Sequence, residues 1–305
     1  MILTLRTVIL LTLLLSAVGI GLAQKPLTAE DYFNRAGSYL NQGKFAEAVA
    51  DLTECIRLDP KTASPYAARG FAYMQQEKPD LALADYNRAI QIDPKFAQAY
   101  LNRGGLYSDE DKDDLAIADF TTAIGVEPRY FNAYFDRGNS QEKIGKHAFA
   151  IADYTKAIEI HPDVEIVYVN RGLAYMEIHN GDLAIADFTK AIGLKPEYTL
   201  AFISRGRAYN GLGKFDLAVA DFTKAIQLDG QNVLAYANRA FAYSKLAKYD
   251  LAVADFGKAI DIYPKAPMLF NDRGNAYCKL GKKDLANADK KKAADLGATG
   301  IVACQ

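Results

Sequence analysis

One block of 34 residues recurs from Ala29 almost to the C-terminus with no insertion. Its copies begin at Ala29, Ala63, Ala97, Phe131, Glu165, Thr199, Val233 and Pro267. A fixed period of this size marks a small supersecondary unit that cannot cover its own apolar surface and must stack on its neighbours. The length of 305 residues alone would suggest about two globular domains. The repeat overrides that, because a stacked array grows by adding units and not by enlarging one core.

Number each block from 1 to 34. Position 4 is always aromatic, from Tyr32 and Tyr66 to Tyr236 and Phe270. Position 8 is Gly or Ala, and position 11 is Tyr except at Gln141. Spacings of four and three place these residues on one face of a first helix. The pattern breaks at position 15, where Gly43, Gly145, Gly213 and Gly281 are each followed by Lys, as a helix-ending glycine should be. Asp80, Asp114, Asp182, Asp216, Asp250 and Asp284 then suit the free N–H groups at the start of a second helix. Its stripe is Ala at 20, an aromatic at 24 in six blocks, Ala at 27 after Cys55, and Ile at 28 through Ile260. Proline or Gly230 closes the blocks. The reading is all-α, with eight antiparallel helix-turn-helix units.

The aromatic–small–Tyr–Ala–aromatic–Ala–Pro pattern at this period resembles the tetratricopeptide repeat, over residues 29–296. It departs from the family's common pattern in having no Trp at position 4, where Tyr and Phe fill the same role. The resemblance implies a right-handed superhelical solenoid whose first helices line a concave groove, and a non-enzymatic scaffold that binds a protein or peptide there.

Positions 2, 5, 9, 12 and 13 fall away from the 4–8–11 stripe and would face that groove. Its expected apolar lining includes Phe71, Leu101, Phe135, Val169, Leu173, Ile203 and Phe241, with Asn139 and Arg207 as polar members. Asn102, Asn170 and Asn238 at position 6 would bond an extended peptide backbone, or only solvate a helix. An apolar groove rimmed with charge marks a protein interaction site. The alternative is a carrier or sensor of a small apolar ligand in the same groove. Some family members clamp a peptide's terminal carboxylate with Lys at position 5, and no block here has one.

Position 7 is Arg and position 23 is Asp in every block. Arg103, Arg137, Arg171 and Arg205 with Asp119, Asp153, Asp187 and Asp221 form the middle of this ladder. Both positions flank packed stripes, and a guanidinium suits a two-pronged bond to a carboxylate. Matched numbers favour structural pins between helices over eight anion sites.

Charge excludes other classes. Thirty-six basic and 37 acidic residues are interspersed, which leaves no footprint for nucleic acid. His147, His161 and His179 sit near the turns of different blocks and do not converge, and no metal-ligand spacing or phosphate loop occurs. No catalytic residue, metal or cofactor is expected.

Residues 1–23 differ from the rest. Arg6 is the only charge, Val8 to Ala23 is almost wholly apolar, and Gly21-Leu22-Ala23 offers a peptidase small residues. This is the layout of a secretory signal. Cleavage near Ala23–Gln24 would leave a linker at 24–28, repeats at 29–296 and a partly disordered tail at 297–305. The mature chain is expected in the periplasm or outside the cell, as a monomer without membrane insertion. An uncleaved membrane anchor is the alternative. In an oxidising compartment Cys278 and Cys304 could join tail to last repeat, whereas Cys55 replaces a recurring Ala and reads as core. In the eighth block Asn287, Lys290 and Ala294 replace apolar residues, giving the polar outer face that a terminal repeat needs.

Overall fold

The computed structural model describes residues 26–304. The expected signal segment, its cleavage point and the anchor alternative lie outside the described residues. Among the described residues there are sixteen helices and no strand. The chain divides into two compact units, 1–102 and 103–305.

The first unit contains α1 (Ala29–Asn41), α2 (Phe45–Leu58), α3 (Ala63–Met74), α4 (Pro79–Ile92) and the start of α5 (Ala97–Asp109). Thr28 opens α1 with a reciprocal cap: its Oγ1 accepts from Asp31 N at 3.1 Å while Asp31 Oδ2 accepts from Thr28 N at 2.8 Å. Helices α1 and α2 form one hairpin, α3 and α4 the next, and α3 packs on α2.

The second unit continues with α6 (Asp113–Val126), α7 (Phe131–Lys143), α8 (His147–Ile160), α9 (Glu165–Glu177), α10 (Gly181–Leu194) and α11 (Thr199–Gly211). It closes with α12 (Phe215–Leu228), α13 (Val233–Lys245), α14 (Tyr249–Ile262), α15 (Pro267–Lys279) and α16 (Lys283–Asp295). From α6 onward each helix packs on the next, and the first helices α7, α9, α11, α13 and α15 also touch in succession.

Every hairpin turns through a left-handed residue at position 15. Gly43, Gly145, Gly213 and Gly281 have φ near 71°, and Glu77, Asp111, His179 and Ala247 hold φ of 56–60° at the same place. The following N–H then bonds the carbonyl of position 11, as Lys214 N does to Tyr209 O at 2.9 Å.

The small residue at position 8 exists for the ring at position 24 of its own hairpin. A Cβ built on Gly172 would lie 2.6 Å from Phe188 Cε1, and Gly70, Gly104, Gly138 and Gly206 face Tyr86, Phe120, Tyr154 and Phe222 in the same way. These rings are fully buried, as are the alanines at position 20.

The C-terminal end corrects two expectations. Lys290 does not face open water, whereas Asn287 stays exposed as expected. Lys290 is buried, its Nζ donates to Val302 O at 2.6 Å, and Asn287 Oδ1 accepts from Cys304 N at 2.8 Å. The tail is laid down through Cys304 and is not loose: Leu296, Ala298 and Ile301 pack on the last apolar cluster, and Cys304 forms a disulfide with Cys278. Lys290 and Asn287 thus each hold one backbone group of this segment against the last hairpin.

Candidate functional site

The side chains that expectation assigned to the groove separate into covered and open ones. Val169 is completely buried, and Ile203 and Leu101 are nearly so. Val169 packs with Tyr168, Ala184 and Phe188, and Ile203 with Phe202, Ala218 and Phe222. Placing these three on an open groove is therefore corrected. Position 5 follows the ring at position 4 by about 100° of helix, and the apolar stripe is wide enough to take in both.

Leu173 and Phe135 are half-covered, the latter 6.1 Å from both the Phe131 and Tyr154 ring centres. Three of the expected residues stay open: Phe71 at 41 %, Phe241 at 42 %, and the exposed Arg207. All three occupy position 9.

Four asparagines expected to meet a ligand are tied up within the chain. Asn139 Oδ1 accepts from Tyr154 Oη at 2.8 Å and from Asn170 Nδ2 at 3.0 Å. Asn102 Oδ1 accepts from Gln98 Nε2 at 2.7 Å, and Asn238 Nδ2 donates to Leu234 O at 2.8 Å. The Asn139–Asn170 bond joins neighbouring first helices, whereas the other two are spent within their own helices.

Two recesses open beside the exposed rings. In the first unit a cavity of about 360 Å³ is lined by Phe33, Ala67, Phe71, Phe96 and Asn102 among others. Its cause is legible: position 5 of this hairpin is Ala67, where the Phe or Leu of other hairpins would fill the space. In the second unit a cavity of about 250 Å³ between α13 and α15 is lined by Phe241, Lys245, Tyr249, Phe256, Asp272, Asn275 and Lys279. Lys245 Nζ stands 5.1 Å from the centre of the Phe241 ring. Burial raises the Asp272 carboxyl above the ordinary range, partly offset by a bond from Asn271. The recess thus offers an aromatic floor, two lysines and a weakly acidic carboxyl.

A second desolvated acid, Asp136, lies on α7. Burial first, then the charge of Asp109, push its pKa up to about 6. Sequence reading passed over Asp136 and Asp272; both stand at position 6, where other hairpins carry Asn, Ala or Ser.

The Arg and Asp of the ladder meet within each hairpin. Arg171 Nε and Nη2 hold Asp187 Oδ2 and Oδ1 at 2.8 and 2.7 Å, and the same fork recurs in all eight hairpins, from Arg35–Asp51 to Arg273–Asp289. The members of the expected middle section, Arg103–Asp119, Arg137–Asp153, Arg171–Asp187 and Arg205–Asp221, all pair at 2.7–2.8 Å. Bonding to Asp187 strengthens the hold of Arg171 on its proton, against burial. The Arg171 guanidinium also lies between the rings at positions 4 and 11, 5.8 Å from Tyr168 and 5.9 Å from Tyr175. Each guanidinium of the ladder is thus held by a carboxylate of its own hairpin.

Sequence profiles decide the family. Those described as "TPR repeat" match residues 37–77, 72–110 and 206–246, and those described as "Tetratricopeptide repeat" match 97–130, 131–164, 166–198 and 233–265. The chain belongs to the tetratricopeptide repeat family. Proteins of this family generally serve as scaffolds for protein–protein interaction and not as enzymes.

Solved TPR structures share the fold. A tetratricopeptide repeat protein from Parabacteroides merdae is 20 % identical, covers 78 % of this chain and 94 % of its own, and superposes with a TM-score of 0.61. MamA is 27 % identical over 53 % of this TPR chain and 94 % of its own, with a TM-score of 0.52. YrrB, described as a TPR protein with an unusual peptide-binding site, is 22 % identical over 65 % and 97 %, with a TM-score of 0.54. No curated protein matches the chain in sequence.

Proposed function

We propose that this TPR protein is an exported scaffold that captures a peptide segment or helix of a partner protein on its first-helix face. The observation that carries the reading is the pair of half-exposed rings, Phe71 and Phe241, each at the mouth of a recess. Each recess would take an apolar side chain of a partner. In the second, Lys245 and Lys279 would favour an acidic neighbour. Rings of this kind in desolvatable pockets carry most of the energy of a peptide interface.

Export rests on the N-terminal apolar stretch and is supported by the Cys278–Cys304 disulfide, a bond that persists in oxidising compartments. A small apolar ligand is a weaker reading, because both recesses are open and one is lined by three charged side chains.

The test is photo-crosslinking in cells from positions 71 and 241, with exposed Leu58 on a second helix as control. A discrete partner band from 71 and 241, with pull-down of that partner lost in Phe241→Glu at unchanged melting, is the expected result. Crosslinks from position 58 alone would overturn the assignment of this face. A lipid or small molecule retained in native mass spectrometry and displaced by Phe241→Glu would replace it by the carrier reading. Fractionation of a C-terminally tagged chain checks the compartment.

A further inference from the structure

The second helices of the second unit carry an apolar row that the fold does not cover. Position 19 is Leu115, Phe149, Leu183, Leu217, Leu251 and Leu285, and each of these side chains is 45–64 % exposed. One large apolar residue per hairpin, at one register, is not the scatter of single exposed leucines found on any surface. One turn further along each helix the row is lined by an exposed Ala, such as Ala186, Ala220 and Ala254.

Two charged rows of opposite sign flank it. On the N-terminal side of each helix stand Asp182, Asp216 and Asp250, 77–83 % exposed and only loosely paired, at 3.4–3.6 Å, with the lysines of the following hairpin. Two turns on stand Lys190, Lys224 and Lys258, exposed and without an ion-pair partner among the described residues. Eight residues of helix separate position 18 from position 26, about 12 Å along the axis. From the fifth hairpin to the eighth the face therefore reads acidic, apolar, basic, once per hairpin.

We propose that this face of the second unit pairs with the same face of a second copy, about a two-fold axis running along the row. That operation places the aspartates of each copy opposite the lysines of the other and sets the alanines of position 22 against each other, where their small size lets helices approach. The pairing is isologous and closes at two chains. The periodicity and the charge order together select this occupant. A single partner helix meets one or two rungs, whereas a second copy repeats at the same spacing. An anionic lipid surface attracts the lysines and repels the aspartates beside the same leucines. The inference departs from the expected monomer and uses a face other than the one assigned to the partner, so each can fail alone.

The test is the mass of the mature chain by sedimentation and light scattering over a wide range of concentration. Twice the chain mass is expected. Leu183→Asp, Leu217→Asp and Leu251→Asp together should return the single-chain mass with helical content and melting retained, since these side chains are already half in water. Should that variant unfold, charge reversal decides: Lys190→Glu, Lys224→Glu and Lys258→Glu should yield monomer, and adding Asp182→Lys, Asp216→Lys and Asp250→Lys should restore the dimer. A wild-type chain that stays single at all concentrations, whether or not it sediments with anionic vesicles, overturns the proposal. So does a doubled mass that survives the triple Leu change, or a combined reversal that remains monomeric.

Discussion

Arg171 donates from Nη1 to Thr155 Oγ1 at 3.0 Å, and Thr155 belongs to the hairpin before its own. The same guanidinium holds Asp187 in its own hairpin through its other two nitrogens. Arg69, Arg137, Arg205 and Arg239 repeat the arrangement with Thr53, Thr121, Thr189 and Thr223. In these five blocks one side chain thus closes a hairpin and fastens it to the previous one.

The two bonds should differ in weight. The Asp187 side chain is 8 % exposed and that of Arg171 16 %. Asp187→Ala strands a buried guanidinium and should lower stability by about 3–5 kcal/mol. Thr155→Val removes one hydrogen bond and should cost about 1 kcal/mol. Urea unfolding monitored by circular dichroism measures both, and equal losses would contradict this division.

One rung is missing, and it can be supplied. Gly257 stands where five other blocks carry Thr, and a Cβ there would lie 3.7 Å from Arg273 Nη1. Gly257→Thr should raise stability by about 1 kcal/mol, through the new bond and the lower backbone freedom of the unfolded chain. A lower melting temperature would show that the ladder cannot accept the hydroxyl.

Four hairpin turns are strained by their residue. Ala247 and His179 hold φ of 57° and 60° where other blocks place glycine. Ala247→Gly should stabilise by about 1 kcal/mol, because the left-handed region costs a residue with a Cβ about 1–2 kcal/mol that glycine avoids. Gly213→Ala should destabilise by a similar amount. Both are read from thermal melting.

Asp136 makes stability depend on pH in a stated direction. Its folded pKa of about 6 lies above the unfolded value near 4, so the native state binds the extra proton between those limits. Stability therefore falls as pH rises from about 4 to about 6, and the loss persists above that. Asp136→Asn should raise stability at pH 7 by up to about 3 kcal/mol and make little difference at pH 4. Melting curves at the two pH values check the sign.

The tail provides a redox prediction. Cys278 and Cys304 are 26 residues apart in sequence. Reduction, or Cys278→Ser, should cost about 3 kcal/mol of unfolding free energy from the lost constraint on the unfolded chain. A chain whose melting is indifferent to reductant would place the tail's hold in Lys290 and Asn287 alone.

The sequence by itself determined the period, the two helices of each block, their turn at position 15, and the partners Arg and Asp. All of these follow from spacing along one helix or from a count repeated eight times, and spacing survives without knowledge of neighbours. The second hydrogen bond of each Arg was also written there, as Thr at position 25 of most blocks, but nothing in a single block says that this hydroxyl meets the next one. Tertiary structure decided which positions are covered. Val169 and Leu173 are four residues apart on one helix, yet the first is sealed and the second half-open. Periodicity assigns a residue to a face of its own helix, whereas burial depends on where the adjoining helices cross it. For the same reason only the packed chain revealed that the tail covers Lys290, that asparagines 139 and 170 bind each other, and that the leucines of position 19 face outward.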